Sequence, residues 1–135
     1  MSLRRGAVAV IVRQGRWLVI RRSPWVVAPR QYCFPGGGIE PGETEEAALC
    51  RELREELAVN VIPVARLWQS VTPWQVELSW WLSRLADGEE PQAQPQEVES
   101  VHWLEPDELT RLPDLLESNR AFLAAWERGE FQIEG

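Results

Sequence analysis

The stretch GGIEPGETEEAALCRELREELAV, residues 37–59, decides the reading of this chain. It opens on glycines and a proline, so a turn precedes whatever regular structure follows. Thr44 is a suitable helix N-cap, and Glu45 and Glu46 fall in the first turn, where the helix dipole favours negative charge. Leu49, Leu53 and Leu57 recur every fourth residue and give the helix an apolar stripe. Beside the stripe stand Glu52, Glu55 and Glu56, at i, i+3 and i+4. At about 100° per residue these carboxylates share a sector of roughly 100° on the helix surface. Like charges so placed destabilise an isolated helix. A divalent cation among hard oxygen ligands relieves the repulsion, which makes physical sense of the cluster. A solvated acidic face is the plain alternative, and glutamates at this spacing would favour it if they stood alone.

Outward from this segment, Ala7–Val12 and Trp17–Arg21 are apolar, β-branched runs flanking Gln14-Gly15, which predicts a hairpin. Ser23–Gln31 contains prolines and reads as a loop. Tyr32-Cys33-Phe34 is a short strand entering Pro35-Gly36-Gly37-Gly38, read as a backbone turn rather than an element. Val59–Thr72 and Gln75–Leu85 are strand-rich and predict an antiparallel pair joined at Pro73-Trp74. Ala86–Gln96 is a polar surface loop and Val98–Leu104 another strand. Glu105–Leu109 starts a short helix with proline in its first turn. The last helix is expected over Asp114–Arg128, with Leu115, Leu116, Phe122, Leu123 and Trp126 toward the core and Gly129 ending it. The pattern is mixed α/β, a sheet with helices packed on it, in one domain over residues 1–135.

Composition bounds the function. A length of 135 residues with 44% hydrophobic suffices for one core. The basic residues are all arginine. A net charge of −7 argues against a nucleic-acid polymer as partner, because phosphate backbones attract basic surfaces. A small phosphorylated ligand stays compatible, since bound metal inverts the local charge. Cys33 and Cys50 make no disulfide framework. Ala7–Val12 is too short to span a bilayer, and no cleavage site follows Arg4-Arg5 and that run, so neither a membrane segment nor a signal peptide is visible. A cytoplasmic location is the default expectation. Met1-Ser2-Leu3 and Glu134-Gly135 look like expression-vector remnants.

Gly37, Glu43, Arg51, Glu52, Leu53, Glu55, Glu56 and Val59 fit the Nudix box, Gly-x5-Glu-x7-Arg-Glu-aliphatic-x-Glu-Glu-x-Gly-aliphatic. Ala58 stands where that pattern has glycine, which suggests a different helix exit, with Asn60 taking the turn. With Phe34-Pro35-Gly36-Gly37 before the box and the order of the strands, the chain resembles MutT-type Nudix hydrolases. The resemblance implies an α/β/α sandwich, a mixed sheet between the box helix and the C-terminal helix. It implies hydrolysis of a nucleoside diphosphate linked to another moiety, with magnesium, or manganese in its place. Gly37, by its carbonyl, and Glu52, Glu55 and Glu56 match the family's metal ligands. Arg51 and Glu43 match supporting positions, where a guanidinium fork orients carboxylates.

Glu97 matches an additional functional glutamate of MutT-type members, as a metal ligand or base; Glu99 is its alternative. Glu55, Glu56, Glu97 and Arg51 form the expected catalytic set. Arg22 and Asn119 match substrate-facing positions, and an amide at 119 could donate to and accept from a base edge. Arg30 is a weaker candidate for phosphate, and Trp74 and Trp25 for stacking on a base. His102 reads as structural. The leading substrate is an ordinary or oxidised nucleoside triphosphate, followed by ADP-ribose or another nucleotide sugar. A binding module that has lost turnover is the rival from another class, and an unrelated calcium- or magnesium-binding protein ranks below it. A homodimer stays open.

Overall fold

The computed structural model describes residues 3–133; of the termini read as vector remnants, positions 1–2 and 134–135 lie outside the described residues. The chain begins with β1 (Arg4–Arg13) and β2 (Arg16–Arg22), a hairpin turning at Gln14 and Gly15. Both turn residues have positive φ, 55° and 76°, the conformation that matches the twist of paired strands. There follow β3 (Tyr32–Cys33), β4 (Gly36–Gly38), α1 (Glu45–Leu57), β5 (Val61–Val71), β6 (Val76–Leu85), β7 (Val98–Leu104), α2 (Pro106–Thr110) and α3 (Glu117–Glu127).

The strands run in the order β3-β2-β1-β6-β5, with β4 beside β1 and β7 beside β2. β1 and β6 are parallel while the other pairs are antiparallel, so the sheet is mixed. Alternation along β1 divides the molecule into layers. Ala7, Ala9 and Ile11 face one core with Leu49, Leu53 and Leu57 of α1. Val8 and Val10 face the other, with Phe122 and Leu123 of α3 and the rings of Trp17, Phe34 and Trp80. The sheet is thus sandwiched between the box helix and the C-terminal helix. No helix among the described residues is long and apolar enough to cross a membrane.

Three local expectations are corrected. Gly36–Gly38 is a strand, pairing Gly6 with Gly38, Ala7 with Gly37 and Val8 with Gly36. Glycine has no side chain to hold strands apart, and a Cβ on Gly36 would fall 2.2 Å from the Ala7 carbonyl oxygen. The last helix starts at Glu117, not Asp114, because the preceding backbone is committed elsewhere. The Asp114 carbonyl accepts from the Tyr32 amide (2.8 Å), and the Leu116 amide donates to the Tyr32 carbonyl (2.9 Å). Ala58 itself takes the left-handed turn that ends α1, at φ 55°, and its amide donates to the Arg54 carbonyl. Asn60 is not the turning residue.

Candidate active site

The site forms where α1 crosses β4. The helix comes so close that a Cβ on Gly37 would lie 2.3 Å from the Glu52 carboxyl carbon. Only glycine lets the strand backbone and the acidic helix face meet in this way. Glu56 lies beside the same strand, 4% exposed, and its Oε1 accepts the Gly36 N–H at 2.9 Å. Burial pushes its carboxyl well above the ordinary carboxylate range, the adjoining Glu52 adds to the push, and so does Glu97; the Gly36 amide and Arg22 pull against it. Glu52 is raised too, first by burial, with Glu55 and Glu97 adding repulsion against the pull of Arg51.

Arg51 organises the face. Its Nε and Nη2 each donate at 2.8 Å to Glu43, a two-pronged pair, and Nη2 also donates to the Gly38 carbonyl at 2.9 Å. Nη1 reaches Glu52 at 2.9 Å and Glu55 at 3.4 Å. Glu43 in turn accepts the Glu40 amide at 2.8 Å. Glu43 and Arg51 therefore act by holding the loop, the strand and two box carboxylates in one frame. The Glu55 side chain is 48% exposed and meets Arg51, pointing outward more than its two companions.

The loop before β7 completes the acidic wall. The Gln92 amide donates to the Leu57 carbonyl and the Gln94 amide to the Glu56 carbonyl, which docks the loop on the end of α1. The Glu97 carbonyl accepts the Ser23 amide at 3.0 Å. Glu97 thereby comes within electrostatic reach of Glu52 and Glu56. Glu99 goes elsewhere, into ion pairs with Arg21 and Arg30 at 3.5 Å each. Arg30 is occupied by that contact. His102 shares a 2.7 Å hydrogen bond with Ser100 and packs edge-on to Tyr32.

A cavity of about 420 Å³ opens beside these carboxylates, floored by Gly36, Gly37 and Gly38. Arg22, Val27, Cys33, Trp74 and Asn119 line it. The Arg22 Nε donates to the Val27 carbonyl at 2.7 Å, which fixes the guanidinium at the rim. Burial raises the Cys33 thiol to about 11, so it lines the wall as a neutral group. Trp74 is half-exposed at the mouth, whereas Trp25 is 79% exposed on the loop outside it. Asn119 is buried, and its amide oxygen accepts the Phe34 N–H at 2.8 Å while its nitrogen donates to Ser118. Its oxygen is therefore committed to the fold, and one N–H remains for a ligand. Arg4, Arg5, Val27 and Ser118 were not foreseen as lining residues. Arg4 and Arg5 look like mere flanking charges in sequence, and only the pairing of β1 with β4 brings them to the cavity.

The donor set fits a hard divalent cation: buried, mutually repelling carboxylates beside a glycine backbone. No three His, Cys, Asp or Glu side chains among the described residues are gathered closely enough to hold one already. Arg51 draws Glu52 and Glu55 toward itself, so closing on an ion requires those side chains to turn.

The family model for the NUDIX domain matches residues 3–126. The chain belongs to the Nudix hydrolase family. Among similar curated proteins, an NAD-capped RNA hydrolase NudC from Stutzerimonas stutzeri is 34% identical over 107 residues, 79% of this chain and 38% of that protein. A nucleoside triphosphatase NudI from Escherichia fergusonii is 44% identical over 62 residues, 46% of this chain and 40% of that protein. The chain thus spans about two fifths of the length of the curated relatives it matches. Among solved structures, a MutT Nudix hydrolase from Burkholderia pseudomallei superposes with a TM-score of 0.77 at 29% identity, covering 90% of this chain and 95% of that one.

Proposed function

We propose that this Nudix domain is a metal-dependent nucleotide pyrophosphohydrolase. Its leading substrate is a nucleoside triphosphate, ordinary or oxidised, cleaved to a nucleoside monophosphate and pyrophosphate. The observation that carries this reading is Glu56, a carboxylate buried with no cation at hydrogen-bond distance among the described residues, within electrostatic reach of Glu52 and Glu97 and bonded to the Gly36 amide that lines a cavity of about 420 Å³. Burying such a group is costly unless a positive charge joins it. Glu52, Glu56, the Gly37 carbonyl and Glu97 would hold magnesium, with Glu55 at the outer edge. The ion supplies charge neutralisation of the pyrophosphate and acidifies water.

The chain's own groups do the rest. Glu97 has no arginine partner among the described ion pairs, unlike Glu55 and Glu99, and takes the proton of the attacking water in this reading. Water forms the new P–O bond, and the bridging P–O bond breaks. Arg22, anchored through Nε to the Val27 carbonyl and through Nη1 to the Cys33 sulfur, presents its Nη2 donors to the phosphates. The spare Asn119 N–H donates to an acceptor on the base. The similarity to NAD-capped RNA hydrolases favours a second reading, a nucleoside diphosphate linked to another moiety, such as the dinucleotide NAD or the nucleotide sugar ADP-ribose, and it keeps a capped RNA end among the substrates to assay despite the acidic surface.

The test is a panel of triphosphates, ADP-ribose, NAD and NAD-capped RNA with magnesium, identifying both products. The triphosphates should give monophosphate and pyrophosphate. Glu56→Gln should lower turnover roughly 100-fold or more while the fold is kept. Near-wild-type hydrolysis by that variant would remove the metal-site assignment. Normal metal binding with no cleavage of any compound would favour the binding module.

A further inference from the structure

Glu45 sits in the first turn of α1, with its side chain only 12% exposed. Its Oε2 accepts from Arg5 at 3.0 Å and Arg66 at 3.3 Å, and its Oε1 accepts the Trp81 indole N–H at 2.9 Å. These donors belong to β1, β5 and β6, so one carboxylate ties the start of the box helix to three strands. A favourable place in the helix dipole does not require such partners. Glu46, in the same turn, is exposed and has none among the described hydrogen bonds.

Arg5 carries the tie toward the site. Its carbonyl accepts the Ile39 amide at 2.9 Å, and the next residue, Gly6, is paired with Gly38. Its guanidinium is braced from the other side by Glu77 at 3.5 Å. Further along the helix, Arg51 grips the Gly38 carbonyl. Between these two polar grips lies the side-chain-free approach of Glu52 to Gly37. The leucine stripe holds α1 down on the sheet, but hydrophobic contact is non-directional and does not by itself fix where the helix lies along the strand.

We infer that Glu45 is a positioning residue: through Arg5 it sets the place of α1 along Gly36–Gly38, and so the spacing of the Glu52 and Glu56 carboxylates from the Gly37 carbonyl. This rests on the metal-site reading above. Arg5 and Arg66 are 44% and 48% exposed, so their ion pairs add little to global stability, and the effect falls on geometry.

The test uses the full chain as wild type, Glu45→Ala, Glu45→Gln and Glu56→Gln. Mn2+ binding is read from the electron paramagnetic resonance signal of the free ion, alongside metal-free thermal unfolding and kinetics on the best substrate of the panel. Glu45→Ala should weaken Mn2+ binding and lower kcat by about 10–100-fold, as loss of an outer partner does, with KM within about threefold. Glu45→Gln, which keeps an acceptor for Trp81, should fall between; it also serves if the alanine variant does not fold. Mn2+ binding and kcat within about twofold of wild type in the folded Glu45 variants, while Glu56→Gln loses both, would overturn the inference and leave the metal site standing. A defect confined to KM would also overturn it. Undiminished Mn2+ binding by Glu56→Gln would instead remove the metal site itself, and the role of Glu45 with it.

Discussion

Arg51 reaches Glu43, Glu52 and Glu55 with one guanidinium, and Glu40 lies at 3.9 Å. Its hydrogen bond, together with the Glu40 amide, holds the Glu43 carboxyl at about 2, against an ordinary 4.5. The folded state therefore keeps this charge further into acid than the unfolded chain does. The resulting stabilisation is complete above the unfolded value and is lost as pH falls from about 4.5 toward 2. The gap in melting temperature between wild type and Glu43→Gln should be constant at higher pH and close over that interval. Thermal unfolding across pH measures it, and a gap unchanged at the acid end would show that the ion pair is not its source. The box arginine and glutamates were legible in the sequence because their identities are chemically specific. Their division of labour was not, since it depends on which carboxylates Arg51 and the Gly36 amide capture. For the same reason Asn119 was legible only in part: its position could be read, but not the commitment of its oxygen to Phe34.

Among the elements, α1 shows how a departure from a family pattern is absorbed. Alanine at position 58 occupies the left-handed conformation with φ 55° and ψ 39°. A Cβ there is strained, and glycine relieves the strain while restoring some freedom to the unfolded chain. Ala58→Gly should stabilise the protein by about 0.5–1 kcal/mol, read as a higher urea midpoint at unchanged slope. A lower midpoint would mean that Ala58 makes contacts worth more than its strain. The strand β4 was hidden for the opposite reason. Three glycines signal a turn by propensity, and only β1 lying alongside recruits them into a ladder. The start of α3 was likewise set by Tyr32, remote in sequence, taking the backbone groups of Asp114 and Leu116.

At the scale of the whole molecule, one core holds α1 and the other ties the cavity wall to the C-terminal helix. Phe122 is fully buried in the latter, stacked on Trp80 at 4.5 Å and 5.5 Å from Phe34. Asn119, one turn earlier on α3, bonds the amide of that same Phe34. Phe122→Ala should destabilise by about 3–5 kcal/mol, because a ring-sized cavity opens among rigid neighbours. Chemical denaturation followed by tryptophan fluorescence measures it; a loss below about 1 kcal/mol would mean that the aromatic cluster collapses into the space.

The sequence by itself determined the box helix, its leucine stripe, the acidic sector and the mixed α/β class, because these follow from periodicity and local chemistry within a short stretch. It also carried the family, through the spacing of Gly37, Glu43, Arg51, Glu52, Glu55 and Glu56. Tertiary structure alone decided that Glu97 comes within electrostatic reach of Glu52 and Glu56 while Glu99 pairs with Arg21 and Arg30, since an irregularity in the β2–β7 register at Glu99 and the docking of a distant loop send the two side chains to different partners. It alone brought Arg4 and Arg5 to the cavity and Glu45 to three strands. Such contacts join residues far apart in the chain, and no local pattern encodes where a carboxylate finds its partner once the helix has packed on the sheet.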